Sequence, residues 1–173
     1  EILRCLVGSE MCIRDRKDID ADWTKKNGER HFGYKDHVKC DADSKLITNY
    51  SVTSASVHDS QRCLVFIGQE DEVLYADSAY SGKPIALALP ENCKNQICEK
   101  GYRNSPLTSE QKMNNRRKSR IRCRIEQIFG FMTGAMHGIT IRSIGITRAW
   151  MNIGITNLVY NFCRYSYLKR ASA

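Results

Sequence analysis

The chain has 173 residues, 42% of them apolar and 27% charged, with a formal net charge of +8. That length suits one domain with a substantial core, and the balance excludes a disordered or fibrous protein. No apolar run approaches the roughly 20 residues needed to cross a bilayer, and the amino end lacks a secretory signal pattern, so the expectation is a soluble cytoplasmic protein without a membrane partner.

The eight cysteines include no C-x-x-C pair, so zinc is not expected, and Cys40, Cys123 and Cys163 sit in strand or helix patterns as reduced thiols. The charge is unevenly spread. From Tyr102 to Ala173, 13 Lys and Arg face only Glu110 and Glu126, a net +11, which leaves about −3 for the residues before them. Positive charge gathered at one end favours a polyanionic partner, nucleic acid before membrane, because no basic amphipathic terminal anchor is present.

Taken in order, residues 1–16, "EILRCLVGSEMCIRDR", show neither strand alternation nor a helical stripe. Their composition fits nothing that follows, so they read as a foreign or disordered segment outside the fold. From Lys17 the character changes. Asn27-Gly28 marks a turn, and Phe32, Tyr34, Val38 and Cys40 alternate with Gly33, Lys35, His37 and Lys39 as in a half-buried strand. Asp41 to Ser44 is turn chemistry, and Leu46 to Thr53 is a second β-rich run, so the pair predicts a hairpin. One of its faces would carry Lys35, His37 and Lys39, either as a solvated surface or toward phosphate.

A short helix capped by Asp59 or Ser60 follows. The apolar run Val73 to Ala76 then ends at Asp77 ahead of small residues and Gly82, the pattern of a buried strand whose last residue emerges at a loop. Catalytic residues favour that position in α/β sheets, but an aspartate there can equally cap the next turn. A short helix after Lys83, a turn at Pro90 to Asn92 and a strand around Gln96 to Glu99 come next.

The most informative stretch is a basic helix. Thr108 reads as its N-cap with Gln111 as capping-box partner, and Gly134 and Gly138 suggest its end. Ile121, Ile125, Ile128, Phe129, Met132 and Met136 form an apolar stripe, while Arg116, Arg117, Lys118, Arg120, Arg122 and Arg124 surround the lone acid Glu126. By itself this pattern fits a solvated face with an ion pair between Arg122 and Glu126. In the last helix, Trp150, Ile153, Asn157, Val159, Tyr160 and Cys163 are expected on the apolar face. With no internal repeat and no low-complexity linker, nothing marks a second domain.

Read together, "WTKKNGERHFGYKDH", "VTSASVHDSQ", "VLYADSAYSG", "RIRCRIEQIFGFM" and "IGITRAWMNIGITNLVYNFCRY" resemble the carboxy-terminal part of bacterial insertion-sequence transposases of the insertion-sequence-five type, which use a DDE triad. The resemblance covers residues 17 to about 169. It implies an α/β, RNase H-like catalytic domain over 17–173, a mixed sheet with flanking helices. It further implies two Mg²⁺ ions, DNA at transposon ends and target as partner, and DNA strand cleavage and transfer. Homo-oligomers are compatible with it. Carried over by position, Asp77 is the second acid and Glu126 the third, with Arg122 the arginine that precedes it by one turn. The motif's tyrosine and lysine places hold Ser119 and Thr133 instead. Its first aspartate stands on a strand upstream of the "WTKK" block, so the expectation is a truncated, catalytically incomplete chain lacking its first strand.

The chemistry gives the acids their weight. Two metal ions about 3.5–4 Å apart activate an attacking oxygen and stabilise a leaving one, and carboxylates must hold them. DNA contacts are expected from Arg116, Arg117, Lys118, Arg120, Arg122, Arg124, Lys35 and His37. The competing expectation is a non-catalytic nucleic-acid-binding protein that uses the basic helix over residues 108–134. A third is a structural fragment of a decayed element.

Overall fold

The computed structural model describes residues 18–26, 28–80, 82–138 and 141–172, so the segment 1–16 lies outside the described residues. The chain divides into two compact units. One combines the chain up to Val57 with Ile125 onward, and the other runs from His58 to Arg124.

The first unit is built on an antiparallel sheet of β1 (Asp22–Lys26), β2 (Glu29–Cys40) and β3 (Ile47–Ser54), in the order β1-β2-β3. Lys26 pairs with Glu29, and just before Glu29 Gly28 takes φ +88°, the left-handed conformation that tight hairpin turns require. The next turn is held by Asp41, whose Oδ2 accepts from the Ser44 N–H at 2.7 Å and the Ser44 hydroxyl at 2.6 Å. Those bonds hold its carboxyl below the usual aspartate range.

Two helices complete this unit: α4 (Ile146–Ala171) and the later part of α3 (Ser109–Gly134). Ala149 and Ile153 of α4 bury against Tyr34 and Val52, and Tyr160 buries with Ile128, Phe129 and Met132 of α3 against Ile47. Ile128 and Met132 are fully buried, each contributing about 1.5–3 kcal/mol of transfer free energy. Side chains of α4 then fix the register of the hairpin. Asn161 exchanges two 2.8 Å hydrogen bonds with the backbone of Ile47, the Tyr160 hydroxyl donates to the Lys45 carbonyl at 3.0 Å, and Arg164 Nε donates to the Ser44 carbonyl at 2.7 Å.

α4 starts without a local cap, since Gly145 has no side chain to offer and no acid lies in the first turn. The cap comes from far along the chain. The Gly145 N–H donates to Asp18 Oδ2 at 3.1 Å and the Ile146 N–H to Asp20 Oδ2 at 3.0 Å, which places negative charge at the positive end of the helix.

The second unit contains α1 (Ser60–Phe66), β4 (Val73–Leu74), a single 3-10 turn (Ser78–Tyr80), α2 (Lys83–Ala88), β5 (Lys94–Asn95) and the first part of α3. β4 and β5 are parallel, as a connection through a helix requires. Their core is a small cluster of Cys63, Ile85 and Ile97, with Leu74, Ala76 and Tyr80 packed on it.

Three expectations are corrected. Among the described residues the strands form two separate sheets, one antiparallel and one parallel, and not one mixed sheet. The run from Val73 is only partly covered, with Val73 38% exposed. The buried side of α4 consists of Ala149, Ile153, Asn157 and Tyr160, while Val159 and Cys163 are exposed.

Candidate active-site acids and DNA-facing arginines

Asp77 stands where the parallel ladder ends. Backbone bonds from Lys94 to Glu72, Gln96 to Leu74 and Cys98 to Ala76, at 2.8, 2.9 and 3.0 Å, carry the pairing past β4 to the residue before it. Asp77 then opens the 3-10 turn: its Oδ1 accepts from the Ser78 N–H at 2.6 Å and its carbonyl from the Tyr80 N–H at 3.0 Å. The two roles left open by the sequence therefore coexist. The side chain is exposed, and Oδ2 accepts no hydrogen bond among the described residues.

The same unit ties the ladder to the basic helix. The Glu99 N–H donates to Asn115 Oδ1 at 2.9 Å, Asn115 Nδ2 donates back to the Glu99 carbonyl at 3.0 Å, and Lys118 Nζ donates to the Ile97 carbonyl at 2.9 Å. These bonds set which side of α3 remains outside. Arg116, Arg117 and Arg120 are exposed, whereas Arg122 and Arg124 are half-buried. Lys118, expected to face phosphate, has its side chain 16% exposed, with Nζ 3.9 Å from Glu99 besides its bond to Ile97. Glu126 is exposed on α3, in the part of the helix that belongs to the sheet unit.

The sheet face expected to meet phosphate has its polar side chains engaged within the protein. His37 is 4% exposed with its Nε2 2.8 Å from the Thr53 hydroxyl, and Lys35 Nζ donates to the Val57 carbonyl at 2.8 Å. Cross-strand pairing explains this, because Lys35 sits opposite Thr53 and His37 opposite Ser51, and both of those partners are buried.

Two polar features had no signal in the sequence. Asp18 and Asp20 cap a helix more than a hundred positions away. Burial pushes the Asp18 carboxyl up, but hydrogen bonds from Tyr34 and from backbone N–H groups, that of Gly145 foremost, outweigh it and hold the group below the usual range. Asp36, 8% exposed on β2, receives a 3.4 Å hydrogen bond from Asn157 Nδ2 on α4. Burial raises its carboxyl to about 7, against the lowering effects of Asn157 and His37. Asp36 Oδ2 and Asn157 Oδ1 are both buried, with no hydrogen-bond partner among the described residues.

Among the described residues, no group of three or more His, Cys, Asp or Glu is placed to hold a metal ion, and no helix is long and apolar enough to cross a membrane.

Comparison with known proteins places these residues in context. Residues 10–162 match the family model described as "Transposase DDE domain". The chain is 34% identical over 117 residues to the "Transposase for insertion sequence element IS1106" of Neisseria meningitidis serogroup B, a match that takes in 66% of this chain. The chain spans 40% of the length of that relative. No solved structure matches.

Proposed function

The chain belongs to the transposase DDE domain family, and from that premise we propose that the protein cleaves and joins DNA strands at insertion-sequence ends, with Asp77 and Glu126 as the second and third acids of its catalytic triad. The observation that carries this reading is the placement of Asp77. An exposed carboxylate with one uncommitted oxygen closes a parallel ladder, and the next long element of the chain is a helix whose exposed side carries Arg116, Arg117 and Arg120. The order of elements suits an RNase H-like fold of the insertion-sequence-five type: antiparallel strands, a parallel strand ending in an acid, then a helix bearing the last acid. Asp18 and Asp20 are committed to the start of α4, so neither is offered as the first acid.

The donor chemistry of Asp77 and Glu126 suits a hard cation such as Mg²⁺, which takes one or two carboxylates and completes its shell with water and substrate phosphate. When bound, such ions activate the attacking oxygen and stabilise the leaving one. The arginines of α3 have a separate task. They neutralise the phosphate backbone and position the duplex, and Arg122, one turn before Glu126, stabilises charge that develops on phosphate. DNA is thus the partner, held first by charge.

The alternative is a protein that binds nucleic acid through α3 without cleaving it, a reading that needs only the exposed Arg116, Arg117 and Arg120 and neither acid. Binding of a DNA duplex by the full chain, measured against salt, tests the part that both readings share. Affinity falls with a log–log slope of about −0.9 per phosphate neutralised, and replacing Arg116, Arg117 and Arg120 by alanine lowers that slope by up to about 2–3. His37→Ala leaves it unchanged. A slope that the triple substitution does not alter overturns α3 as the DNA-facing element.

A further inference from the structure

The hairpin of β1 and the start of β2 has an aromatic and basic side for which neither the acids nor the arginines of α3 account. Strand pairing sets Trp23 opposite Phe32 and Lys25 opposite Arg30, and because side chains alternate along a strand, these four share one side. The rings of Trp23 and Phe32 lie 5.2 Å apart, centroid to centroid, at 53°. Phe32 is half-buried and braces the indole, which leaves Trp23 56% exposed. Nearer the turn, Lys25 and Arg30 are both exposed, and among the described residues neither side chain has an ion-pair or hydrogen-bond partner. The acids are on the other side. Asp22 stands opposite Gly33, and Glu29 Oε2 lies 3.9 Å from His31 Nε2.

We propose that this side of the hairpin binds an unpaired stretch of DNA, with a base stacked on the indole of Trp23 and the adjoining phosphate held between Lys25 and Arg30. The proposal rests on DNA being the partner, and it adds a contact whose chemistry differs from that of α3. Single strands are held by exposed aromatic rings with cations beside them, since every base has a flat face to stack and every link carries a charge. Here the cations stand two residues from the rings, about 7 Å along the strands. One nucleotide bridges that span from its base to its phosphate.

Charge and shape agree on the occupant. Like charges directly opposite each other on a sheet repel, and a phosphate between Lys25 and Arg30 turns that repulsion into two charge-assisted contacts. A duplex carries the same phosphates but keeps its base faces inside the stack, so the indole gains nothing from it. Cut DNA ends fray into unpaired nucleotides, which is the form this side of the hairpin selects.

The experiment uses the full chain, a single-stranded thymidine oligonucleotide of about 16 nucleotides and a duplex of equal length. Trp150→Phe leaves Trp23 as the only tryptophan. The single strand is expected to quench its fluorescence saturably, and the duplex to leave it nearly unchanged. Trp23→Ala weakens single-strand binding about 10-fold or more, and Trp23→Phe recovers most of the loss because a ring face remains. Lys25→Ala with Arg30→Ala lowers the salt slope for the single strand by up to about 1.4, at about 0.7 per phosphate. Duplex affinity is nearly unchanged by the Trp23 substitutions. Single-strand affinity that Trp23→Ala does not alter, or quenching as strong with the duplex, overturns the proposal. So does tighter binding of a uridine oligonucleotide, which assigns the site to RNA. This proposal and the role of α3 fail separately, because the duplex slope answers to Arg116, Arg117 and Arg120 and the quench to Trp23.

Discussion

The two units hold themselves together by different means. In the sheet unit, a 12-residue strand and a 26-residue helix bury Val52, Ile128 and Met132 almost completely, and α4 grips the hairpin turn through Tyr160, Asn161 and Arg164. In the unit that carries Asp77, the elements before α3 are two to seven residues long, and register rests on Asn115 and Lys118 holding residues 97–99. Cohesion is concentrated in the first. Asp77 and the exposed Arg116, Arg117 and Arg120 stand in the second, where the short segments before α3 have little apolar cover and local opening costs least, while Glu126 stands on the part of α3 that belongs to the first.

The largest blow to that contrast comes from the sheet unit's core. Met132→Ala removes a fully buried side chain and is expected to cost about 2–5 kcal/mol, read as a shift in the urea midpoint. The salt slope of DNA binding, measured where the protein remains folded, should not move. A change in that slope would show that the sheet unit's core also bears on the exposed arginines of α3.

The next effect concerns Asp36. Its folded carboxyl titrates at about 7, against about 3.9 when unfolded. Between these values the folded chain holds a proton that the unfolded chain has lost. Stability is therefore fully present below about pH 4, falls as pH rises, and stays reduced above about pH 7. Asp36→Asn removes the buried charge and supplies a donor for Asn157 Oδ1. It should stabilise the chain by on the order of 3 kcal/mol at pH 8 and by little at pH 4. Denaturant titrations at the two pH values check this, and an equal change at both would show that the Asp36 carboxyl is not raised on folding.

A smaller effect belongs to the start of α3. The Thr108 hydroxyl accepts from the Gln111 N–H at 3.2 Å, and Gln111 Oε1 accepts from the Thr108 N–H at 2.9 Å, a reciprocal capping box. Thr108→Ala should cost about 1 kcal/mol in thermal unfolding, with Thr108→Ser recovering most of it.

That capping box was legible in the sequence because its two residues are three apart, and the Asp41–Ser44 turn was legible for the same reason. The hairpin, the helix over Ser109–Gly134 and the position of Asp77 at a strand end also follow from local pattern. What the sequence hid is non-local. Asp36 is buried by Asn157 from a helix 121 residues on, and His37 looks outward by alternation although Ser51 and Thr53 beside it are buried. The inner side of α4 was misassigned because apolar residues occupy both sides, so periodicity could not select Ile153 over Val159. Lys118 and Arg117 look equivalent in the chain. They part only because β5 leads into a backbone carbonyl, that of Ile97, within reach of Lys118.

The central claim is that Asp77 and Glu126 are metal ligands, and iron-directed cleavage tests it most directly. Fe²⁺ stands in for Mg²⁺, ascorbate and peroxide generate hydroxyl radicals at the bound ion, and backbone breaks in the DNA-bound full chain are mapped by mass spectrometry. Breaks are expected beside Asp77 and beside Glu126. Asp77→Asn or Glu126→Gln alone should suppress both sets while leaving DNA affinity nearly unchanged, because each removes an oxygen donor and no phosphate contact. Breaks confined to other segments, or a pattern that survives both substitutions, would contradict the assignment.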